Sequence, residues 1–274
     1  MLSDKPFQVP PYLLDRIEGT DRVRMAIAGA DHPIALESAR QGADAGIIEP
    51  VLVGDADVIR AAARDIDWDV DAYAIVDAVG EERAPAAAVA LAKSGEVSSL
   101  MKGHLHTDTL MKAVVNREHG LRTARRLSHV FHMTIPDNDR VLMITDGAVN
   151  VQPDLDTKID IINNAVEMAH TLGNPNPKVA LLSGTESVLP AMPSSVDAAK
   201  AVKRANAGEV KNATVDGPFA FDNALSPEAA ALKGMDSPVA GQADIVVVPN
   251  IETGNSLFKM MVYFLSGLAA GVVL

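Results

Sequence analysis

Short apolar runs alternate with amphipathic segments along the first half of the chain. Each run is short enough for a buried strand, and each amphipathic segment has the spacing of a helix with one apolar face. The predicted strands are Val23–Ala28, Pro50–Val53, Tyr73–Val76 and Val97–Met101. The predicted helices are Tyr12–Ile17, Pro33–Gln41, Val58–Asp65, Pro85–Lys93 and Thr107–Val115. Because strand and helix follow each other in turn, we predict parallel strands joined by right-handed crossovers.

The second half repeats this alternation after one further predicted strand, His129–Thr134. The turn residues Pro136–Asp139 separate the two series, and we place a domain boundary there, between a first α/β domain of residues 1–136 and a second of residues 137–274. The strands predicted in the second domain are Arg140–Thr145, Lys178–Ser183, Thr214–Val215 and Ala243–Val248, and residues 270–274 look like the opening of another. The helices predicted there are Leu155–Leu172, Val196–Ala207, Pro227–Lys233 and Ser256–Leu268.

Composition narrows the class of protein. Hydrophobic residues make up 48% of the 274 residues but aromatic residues only 4%, so aliphatic side chains must fill the core, as is common around parallel sheets. The absence of cysteine excludes disulfides, thiolate metal sites and a cysteine nucleophile. We expect no signal peptide and no membrane span, because the longest apolar stretch is shorter than ~20 residues. A net charge of −12 argues against a nucleic-acid partner, and we expect a cytoplasmic protein.

The window Met101–Met133 is basic, although the chain as a whole is acidic. It carries five of the seven histidines and six cations, which are Lys102, Lys112, Arg117, Arg122, Arg125 and Arg126. Clustered ammonium and guanidinium groups suit phosphate oxygens, so the window predicts an anion site. Gly103 would let the backbone pass close to a ligand, and Thr107 would cap the following helix. The alternative is an ordinary helix with a solvated charged face.

Three turns that carry Asp or Asn beside Gly follow predicted strands of the second half. They are Asp146–Asn150, Asp216–Asn223 and Asn250–Asn255. The carboxyl ends of parallel strands gather function, although Asp, Asn and Gly are also common turn formers. His104 and His106 have no acidic cluster that would complete a metal site. Ser128 and His129 would point to opposite faces of a strand, which disfavours covalent serine catalysis.

The order and spacing of many short blocks resemble the phosphate acetyltransferase/phosphate butyryltransferase family, most closely its butyryl-type and short-form members. In the first part of the match these blocks are Lys102-Gly103, His106-Thr107, Gly120-Leu121-Arg122-Thr123, Ser128-His129-Val130-Phe131, Thr145-Asp146, Ala148, Asn150, Pro153 and Asn164-Ala165-Val166. They continue with Met192-Pro193-Ser194, Asp197-Ala198-Ala199, Asp216-Gly217-Pro218, Phe221-Asp222-Asn223-Ala224, Lys233-Gly234, Ser237-Pro238-Val239-Ala240-Gly241, Ala243-Asp244-Ile245, Glu252, Gly254-Asn255 and Lys259. The match runs from about Val97 onward and is looser over Val23–Gly95.

The resemblance implies a two-domain α/β/α enzyme with largely parallel sheets and an interdomain cleft, an isocitrate/isopropylmalate dehydrogenase-like architecture, usually as a homodimer. Such an enzyme would move a short acyl group (acetyl, propanoyl or butanoyl) between coenzyme A and inorganic phosphate by direct thiolate attack on the acyl phosphate. Coenzyme A and acyl-CoA would be substrates, and no cofactor or metal would be bound. The partners implied are these small molecules, with neither nucleic acid nor membrane.

The resemblance also implies roles for single residues. The residues with a predicted catalytic role are Lys102, His106, Ser128, Asn150 and Asn255. The residues predicted to bind substrate or coenzyme A are Gly103, Thr107, Lys112, Arg122, Arg125, Arg126, Asp146, Asp216, Asn223, Glu252 and Gly254. Asp216 and Glu252 would orient neighbouring groups rather than transfer protons.

The sequence departs from the family pattern at three positions, with Asn250, Thr253 and Gly147 standing where Asp, Ala and Ala are usual. The family pattern also continues with a strand that ends in a Ser-Arg-x-x-Asp type segment and a helix that returns to the first domain. We expect catalysis to require that segment, which the 274 residues do not contain.

Two other interpretations compete with a phosphate acyltransferase. A non-catalytic acyl-CoA-sensing or oligomerising domain of the same family would share all these blocks. A metal-dependent decarboxylating dehydrogenase would share the two-domain architecture, but it needs an aspartate cluster for Mg²⁺ and a nucleotide loop, and the sequence offers neither convincingly.

Overall fold

A computed structural model describes Pro6 and residues 9–274 of the chain. The chain forms two compact units, which we call the N-terminal unit (Tyr12–Ala124) and the C-terminal unit (Arg125–Leu274, with the described residues before Tyr12). The sequence placed the change of domain at 136–137, whereas the structure changes unit between Ala124 and Arg125.

The N-terminal unit is built on a four-stranded parallel sheet. Its strands are β1 (Val23–Ala28), β2 (Ile48–Gly54), β3 (Ala74–Asp77) and β4 (Ser99–Lys102), and its helices are α1 (Pro11–Ile17), α2 (Pro33–Asp44), α3 (Ala56–Asp65), α4 (Arg83–Ser94) and α5 (Thr107–Val114). The strand order is β3-β2-β1-β4. β2 and β3 are therefore added in turn on one side of β1, and β4 is added on its other side. The direction of strand addition reverses between β1 and β4, so their carboxyl ends form the topological switch point.

The two central strands, β1 and β2, are covered on both faces, which explains their near-continuous apolar sequences. Ile27 and Leu52 pack on one face with side chains of α2 and α3. Ala26, Val51 and Val53 pack on the other face with side chains of α4. The two sets alternate along β1 and β2, as the period of two along a strand requires. All three strand pairs of this sheet, β1 with β2, β1 with β4 and β2 with β3, are parallel, which confirms the predicted parallel pairing.

The C-terminal unit contains a six-stranded mixed sheet. Its strands are β5 (His129–Ile135), β6 (Asn138–Thr145), β7 (Lys178–Leu182), β8 (Thr214–Phe219), β9 (Ile245–Val247) and β10 (Leu268–Val273), in the order β10-β5-β6-β9-β7-β8. Its helices are α6 (Leu155–Thr171), α7 (Pro193–Arg204, continued by a wider turn over Ala205–Glu209), α8 (Phe221–Leu225), α9 (Pro227–Leu232) and α10 (Ile251–Leu265). None of the helices among the described residues is both long and apolar enough to cross a bilayer.

The turn at 136–137 joins two strands of one sheet rather than two domains. Ile135 pairs with Asn138 across it, and β5 and β6 are antiparallel. The two strands were predicted to lie in different domains, but they form a hairpin, and a two-residue connection permits only antiparallel pairing. β10 is also antiparallel to β5, whereas β6, β9, β7 and β8 pair in parallel.

Three further elements of the C-terminal unit differ from the prediction. β8 continues to Phe219 through a cis Gly217–Pro218 bond, so Asp216 lies within the strand and not in a turn after it. α10 begins at Ile251, which places the predicted turn 250–255 at the start of a helix. The helix α8 was not predicted, because its five residues are too few to show a helical period.

Candidate active site

A pocket of about 480 Å³ lies at the switch point of the N-terminal sheet. Its lining residues come from the loops that follow β1, β3 and β4 and from the start of α4. They are Gly29, Asp31, Gly80, Glu81, Ala84, Lys102, Gly103, His104, Leu105 and His106. The structure therefore brings Lys102, Gly103 and His106 together. Ligands of open parallel sheets bind in this position, which is also where the sequence predicted an anion site.

Gly103 fixes the loop after β4 against the end of β1. Its N–H donates to the carbonyl of Ala28 at 2.8 Å, and the N–H of His104 donates to the carbonyl of Gly29 at 2.9 Å. A Cβ at Gly103 would stand 2.2 Å from the Gly29 oxygen, so no side chain fits. Glycine is therefore required for close approach to protein backbone, whereas the sequence argument gave close approach to a ligand as the reason.

The Lys102 ammonium folds back over the same loop. Nζ donates to the carbonyl of Gly103 at 3.3 Å and to that of Leu105 at 3.0 Å. An ammonium has three N–H donors, so these two bonds leave the capacity for one more acceptor. The loop carbonyls hold the cation at the pocket wall while its side chain stays exposed.

Glu81 binds His106 twice. Its Oε1 accepts a hydrogen bond from the backbone N–H of His106 at 3.1 Å and a very short one from the ring Nδ1. The hydrogen bond and charge of Glu81 raise the pKa of His106 above its usual value, and the same hydrogen bond lowers the pKa of Glu81. Sequence reasoning missed Glu81, which lies 25 residues from its partner in a loop with no pattern of its own.

The other predicted residues of the N-terminal unit lie outside the lining of this pocket. Thr107 was expected to cap α5, but it is the first helical residue, and the cap position is His106, whose side chain makes no capping bond. The predicted cap was wrong by one residue. Thr107, Lys112 and Arg122 are exposed. His104 stacks on His32 with ring centroids 3.8 Å apart.

A second cluster lies at the carboxyl edge of β6 in the C-terminal unit. The buried Asp146 carboxylate accepts hydrogen bonds from the backbone N–H groups of Ala148, Val149 and Asn150 at 2.9, 2.9 and 3.2 Å. The Asn150 amide donates to Asp146 at 2.7 Å and to the carbonyl of Leu127 at 2.8 Å. Asp146 thus organises the loop that carries Asn150.

The start of α10 packs on this loop. A Cβ at Gly254 would lie 2.8 Å from the backbone oxygen of Asp146 and 2.8 Å from the Cα of Gly147. The Asn255 amide donates to the carbonyl of Gly147 at 3.4 Å. Asn150, Gly254 and Asn255 are therefore brought together, while Glu252 in the same helical turn is exposed.

Ser128 reaches the same edge because β5 is antiparallel to β6. It is fully buried, and its Oγ accepts a hydrogen bond from the Asn164 amide at 2.8 Å. Asn164 also donates to the Arg126 carbonyl at 3.0 Å and accepts from Arg125 at 3.1 Å. Asn164 stood in one of the blocks that carry the family resemblance, but sequence reasoning gave it no role.

The two arginines of this segment differ in their surroundings. Arg125 forms an ion pair with Glu167 at 2.5 Å, so its charge is already countered. Arg126 donates its backbone N–H to Asp160 at 3.0 Å, and its side chain is exposed. Among the described residues Arg126 forms no ion pair of the kind that Arg125 makes with Glu167, although its charge acts on the Asp154 carboxylate and helps to lower the pKa of Asp154.

Asp216 and Asn223 lie at β8, the far edge of the sheet from the Asp146 loop. Asp216 accepts hydrogen bonds from the N–H of Gly217 at 2.8 Å and from the Ser237 hydroxyl at 2.5 Å. Asn223 is fully buried and donates weakly to Glu186 at 3.4 Å. The structure separates these two residues from the cluster at β6, and we report them as a different group.

His129 is a titratable group at this edge that the predicted site set did not include. Burial lowers the pKa of His129, an effect that the carboxylate of Asp146 opposes in part. Its ring lies 4.1 Å from that of Phe131, measured between centroids, and no described residue offers a hydrogen bond to its buried Nδ1. The sequence signal that could have added His129 to the predicted site was its position directly after Ser128, a predicted site residue.

Comparison with known proteins identifies close relatives. A family model described as phosphate acetyl/butaryl transferase matches residues 84–274. The phosphate acetyltransferase of Rickettsia prowazekii is 44% identical over 266 residues, 96% of this chain and 75% of that protein. The phosphate butyryltransferase of Clostridium acetobutylicum is 40% identical over 261 residues, 95% of this chain and 87% of that protein. A crystal structure of a branched-chain phosphotransacylase from Enterococcus faecalis V583 is similar with a TM-score of 0.79 at 33% identity, covering 92% of this chain and 88% of that one.

Proposed function

Because the chain belongs to the phosphate acetyl/butyryl transferase family, we propose that it is a phosphate acyltransferase that moves a short acyl group between coenzyme A and inorganic phosphate. The observation that carries this function is the identity of 44% over 96% of the chain to a phosphate acetyltransferase. The acyl group is acetyl, propanoyl or butanoyl, since the relatives act on more than one chain length. A single methylene is worth only ~1–3 kcal/mol of discrimination in an apolar pocket.

The chemistry is a direct transfer with no covalent acyl-enzyme. The coenzyme A thiol loses its proton, and the thiolate sulfur attacks the carbonyl carbon of the acyl phosphate. The new C–S bond gives a tetrahedral oxyanion, which collapses as the bond between the carbonyl carbon and the bridging phosphate oxygen breaks. Inorganic phosphate leaves and takes up one proton, which balances the proton that the thiol lost. Such a reaction needs positioned substrates and donors aimed at developing negative charge.

Each unit, taken by itself, offers groups of one of these two kinds. The Lys102 ammonium and the His106 imidazole, whose pKa Glu81 raises, are on the wall of one pocket and suit the phosphate of the acyl phosphate. Asn150 and Asn255 present amide groups on a loop that Asp146 holds rigid, and they suit the oxyanion or the coenzyme A amides. Ser128 is held by Asn164 at the same edge. Arg126 suits a phosphate of coenzyme A.

Four further features complete the proposal. The protein is a homodimer, acts in the cytoplasm and takes coenzyme A as a substrate rather than as a bound cofactor. The fourth is the isocitrate/isopropylmalate dehydrogenase-like fold class that the resemblance implies. Each of these four features stays a prediction that light scattering, localisation and a ligand-bound structure can check. Among the described residues, no three His, Asp or Glu side chains converge as metal ligands.

An assay of thioester formation from acyl phosphate and coenzyme A tests the function. It is run on the protein with acyl phosphates of two, three and four carbons. We expect thioester formation with at least one of them. Binding of coenzyme A without any turnover would instead support a non-catalytic acyl-CoA-sensing domain.

A further inference from the structure

The pocket of the N-terminal unit contains two carboxylates where the sequence predicted only cations. Glu81 and Asp31 both line it, together with Lys102, His104 and His106. A phosphate entering this pocket meets two negative groups, so its binding depends on how those carboxylates are engaged. Asp31 is turned toward the backbone N–H of Asp55, at 3.5 Å from its Oδ2.

One residue, His106, donates two hydrogen bonds to Glu81. One oxygen, Oε1, takes both the backbone N–H and the ring Nδ1 of His106, which fixes the imidazole at the entrance to α5. With Nδ1 bound in this way, the nitrogen left for a ligand is Nε2, on the far side of the ring. A phosphate bound to Nε2–H is separated from the Glu81 carboxylate by the width of the ring.

We propose that Glu81 is a positioning residue of this site, which holds His106 with its Nε2–H directed at a substrate phosphate that Lys102 binds from the loop after β4. This proposal rests on the proposed function, because it assigns the phosphate to the acyl-phosphate substrate. Lys102 contributes its third N–H, and the His106 ring contributes the N–H of Nε2, a bond that is charge-assisted when the ring is protonated. Glu81 touches His106 and does not touch the reacting atoms.

The charged groups around His106 all bear on its protonation. Glu81, from the loop before α4, and Asp108, on α5 itself, raise the pKa of His106, while Lys102, at the end of β4, lowers it. His104, in the same loop, acts on Glu81. Because Glu81 is the largest of these influences, its removal should lower the pKa of His106, which weakens phosphate binding near neutral pH.

The test compares Glu81→Gln with the unchanged chain by NMR titration of the His106 ring, using inorganic phosphate as the probe. Glu82→Gln is the matched control, since Glu82 is the next residue, is exposed and makes no capping bond. We expect His106 to titrate above about 6.5 in the unchanged chain and in Glu82→Gln, and to titrate lower in Glu81→Gln. We also expect phosphate binding at a pH of about 6.5, where the raised pKa leaves the His106 ring largely protonated in the unchanged chain, to weaken about tenfold in Glu81→Gln, as loss of one charge-assisted hydrogen bond implies.

Three outcomes would overturn the proposal. The first is that the His106 titration is the same in Glu81→Gln as in the unchanged chain. The second is that phosphate binds more tightly to Glu81→Gln, which would mean that Glu81 competes with the anion. The third is that phosphate does not bind the unchanged chain at all. Glu81→Asp provides a second variant and should keep part of the effect, because it retains the charge. Turnover measured on the same variants separates this inference from the function. If Glu81→Gln catalyses acyl transfer with an unaltered pH profile, the positioning role of Glu81 is wrong and the proposed function stands. If the unchanged chain binds phosphate but shows no turnover, the proposed function is wrong and the role of Glu81 in phosphate binding stands.

Discussion

Gly147 and Gly254 bring two backbone segments into direct contact at the carboxyl edge of the C-terminal sheet. A Cβ on Gly254 would lie 2.8 Å from the Cα of Gly147, and a Cβ on Gly147 would lie 3.0 Å from the carbonyl carbon of Gly254. This contact sets the start of α10 against the loop that holds Asn150. The amide groups of Asn150 and Asn255 thereby share one site, although more than 100 residues separate them.

Gly254→Ala should therefore displace α10 from the loop. We expect a loss of about 1–3 kcal/mol in the free energy of unfolding, the usual cost of overpacking a tight contact, together with reduced turnover. Gly184→Ala is the matched control, because its Cβ would meet only the flexible end of Met192, at 3.2 Å. Equal stability of the two variants in urea titration would contradict the structural role of Gly254.

Asp146→Asn should destabilise the loop without changing its size. The carboxylate accepts three backbone N–H groups and one side-chain amide, and an asparagine amide has only one acceptor oxygen. We expect a cost of about 1–3 kcal/mol in the free energy of unfolding, as for a buried donor left unsatisfied. Asp139→Asn on the exposed part of β6 is the control. A similar midpoint for both variants in urea would show that Asp146 does not organise the loop.

Arg126→Ala should weaken the binding of a phosphate-bearing substrate. We expect KM for coenzyme A or acyl phosphate to rise about tenfold, with turnover falling by no more than that, since one charge-assisted hydrogen bond is lost. Arg117→Ala changes an exposed cation in the same basic window and should leave KM unaltered. An unchanged KM in Arg126→Ala would remove Arg126 from phosphate binding.

Stability should fall on mild acidification because of His129 and His132. Burial lowers the pKa of both rings, so each binds fewer protons in the folded chain than in the unfolded one. A group of this kind destabilises the folded state as the pH falls below about 6.5, and its effect is absent above that pH. In urea titrations between pH 7.5 and 5.5, His129→Gln should lose less stability than the unchanged chain. An NMR titration of His129 at or above about 6.5 would contradict this account.

The sequence predicted the N-terminal sheet well and the C-terminal sheet less completely, for physical reasons. β1 and β2 hold most of the buried residues of this sheet, and β3 and β4 are partly exposed, yet all four are short apolar runs that alternate with amphipathic helices, so the pattern alone locates them. Pro136 and Asp137 are turn residues in a linker and in a hairpin alike, and only the pairing of β5 with β6 distinguishes the two. The positions of Lys102 and Asn150 at strand ends followed from the alternating pattern.

The sequence did not predict where individual side chains point or which distant residues they contact. Asp146 was placed at the correct edge, but only the structure shows that its carboxylate turns inward to backbone N–H groups. Glu81 meets His106 through a tertiary contact that no local pattern marks. Arg125 was chosen as a phosphate ligand for its charge, and the ion pair with Glu167 becomes visible only when β5 and α6 are in place.

Initial-velocity kinetics of thioester formation, with isotope exchange, test the central claim most directly. The rate is measured while acyl phosphate and coenzyme A are varied together, and labelled inorganic phosphate is supplied in a parallel sample without coenzyme A. Direct transfer predicts acyl-CoA formation, intersecting reciprocal plots, and no label in acyl phosphate until coenzyme A is present. Parallel plots with exchange in the absence of coenzyme A, or no thioester from a chain that binds both substrates, would contradict it.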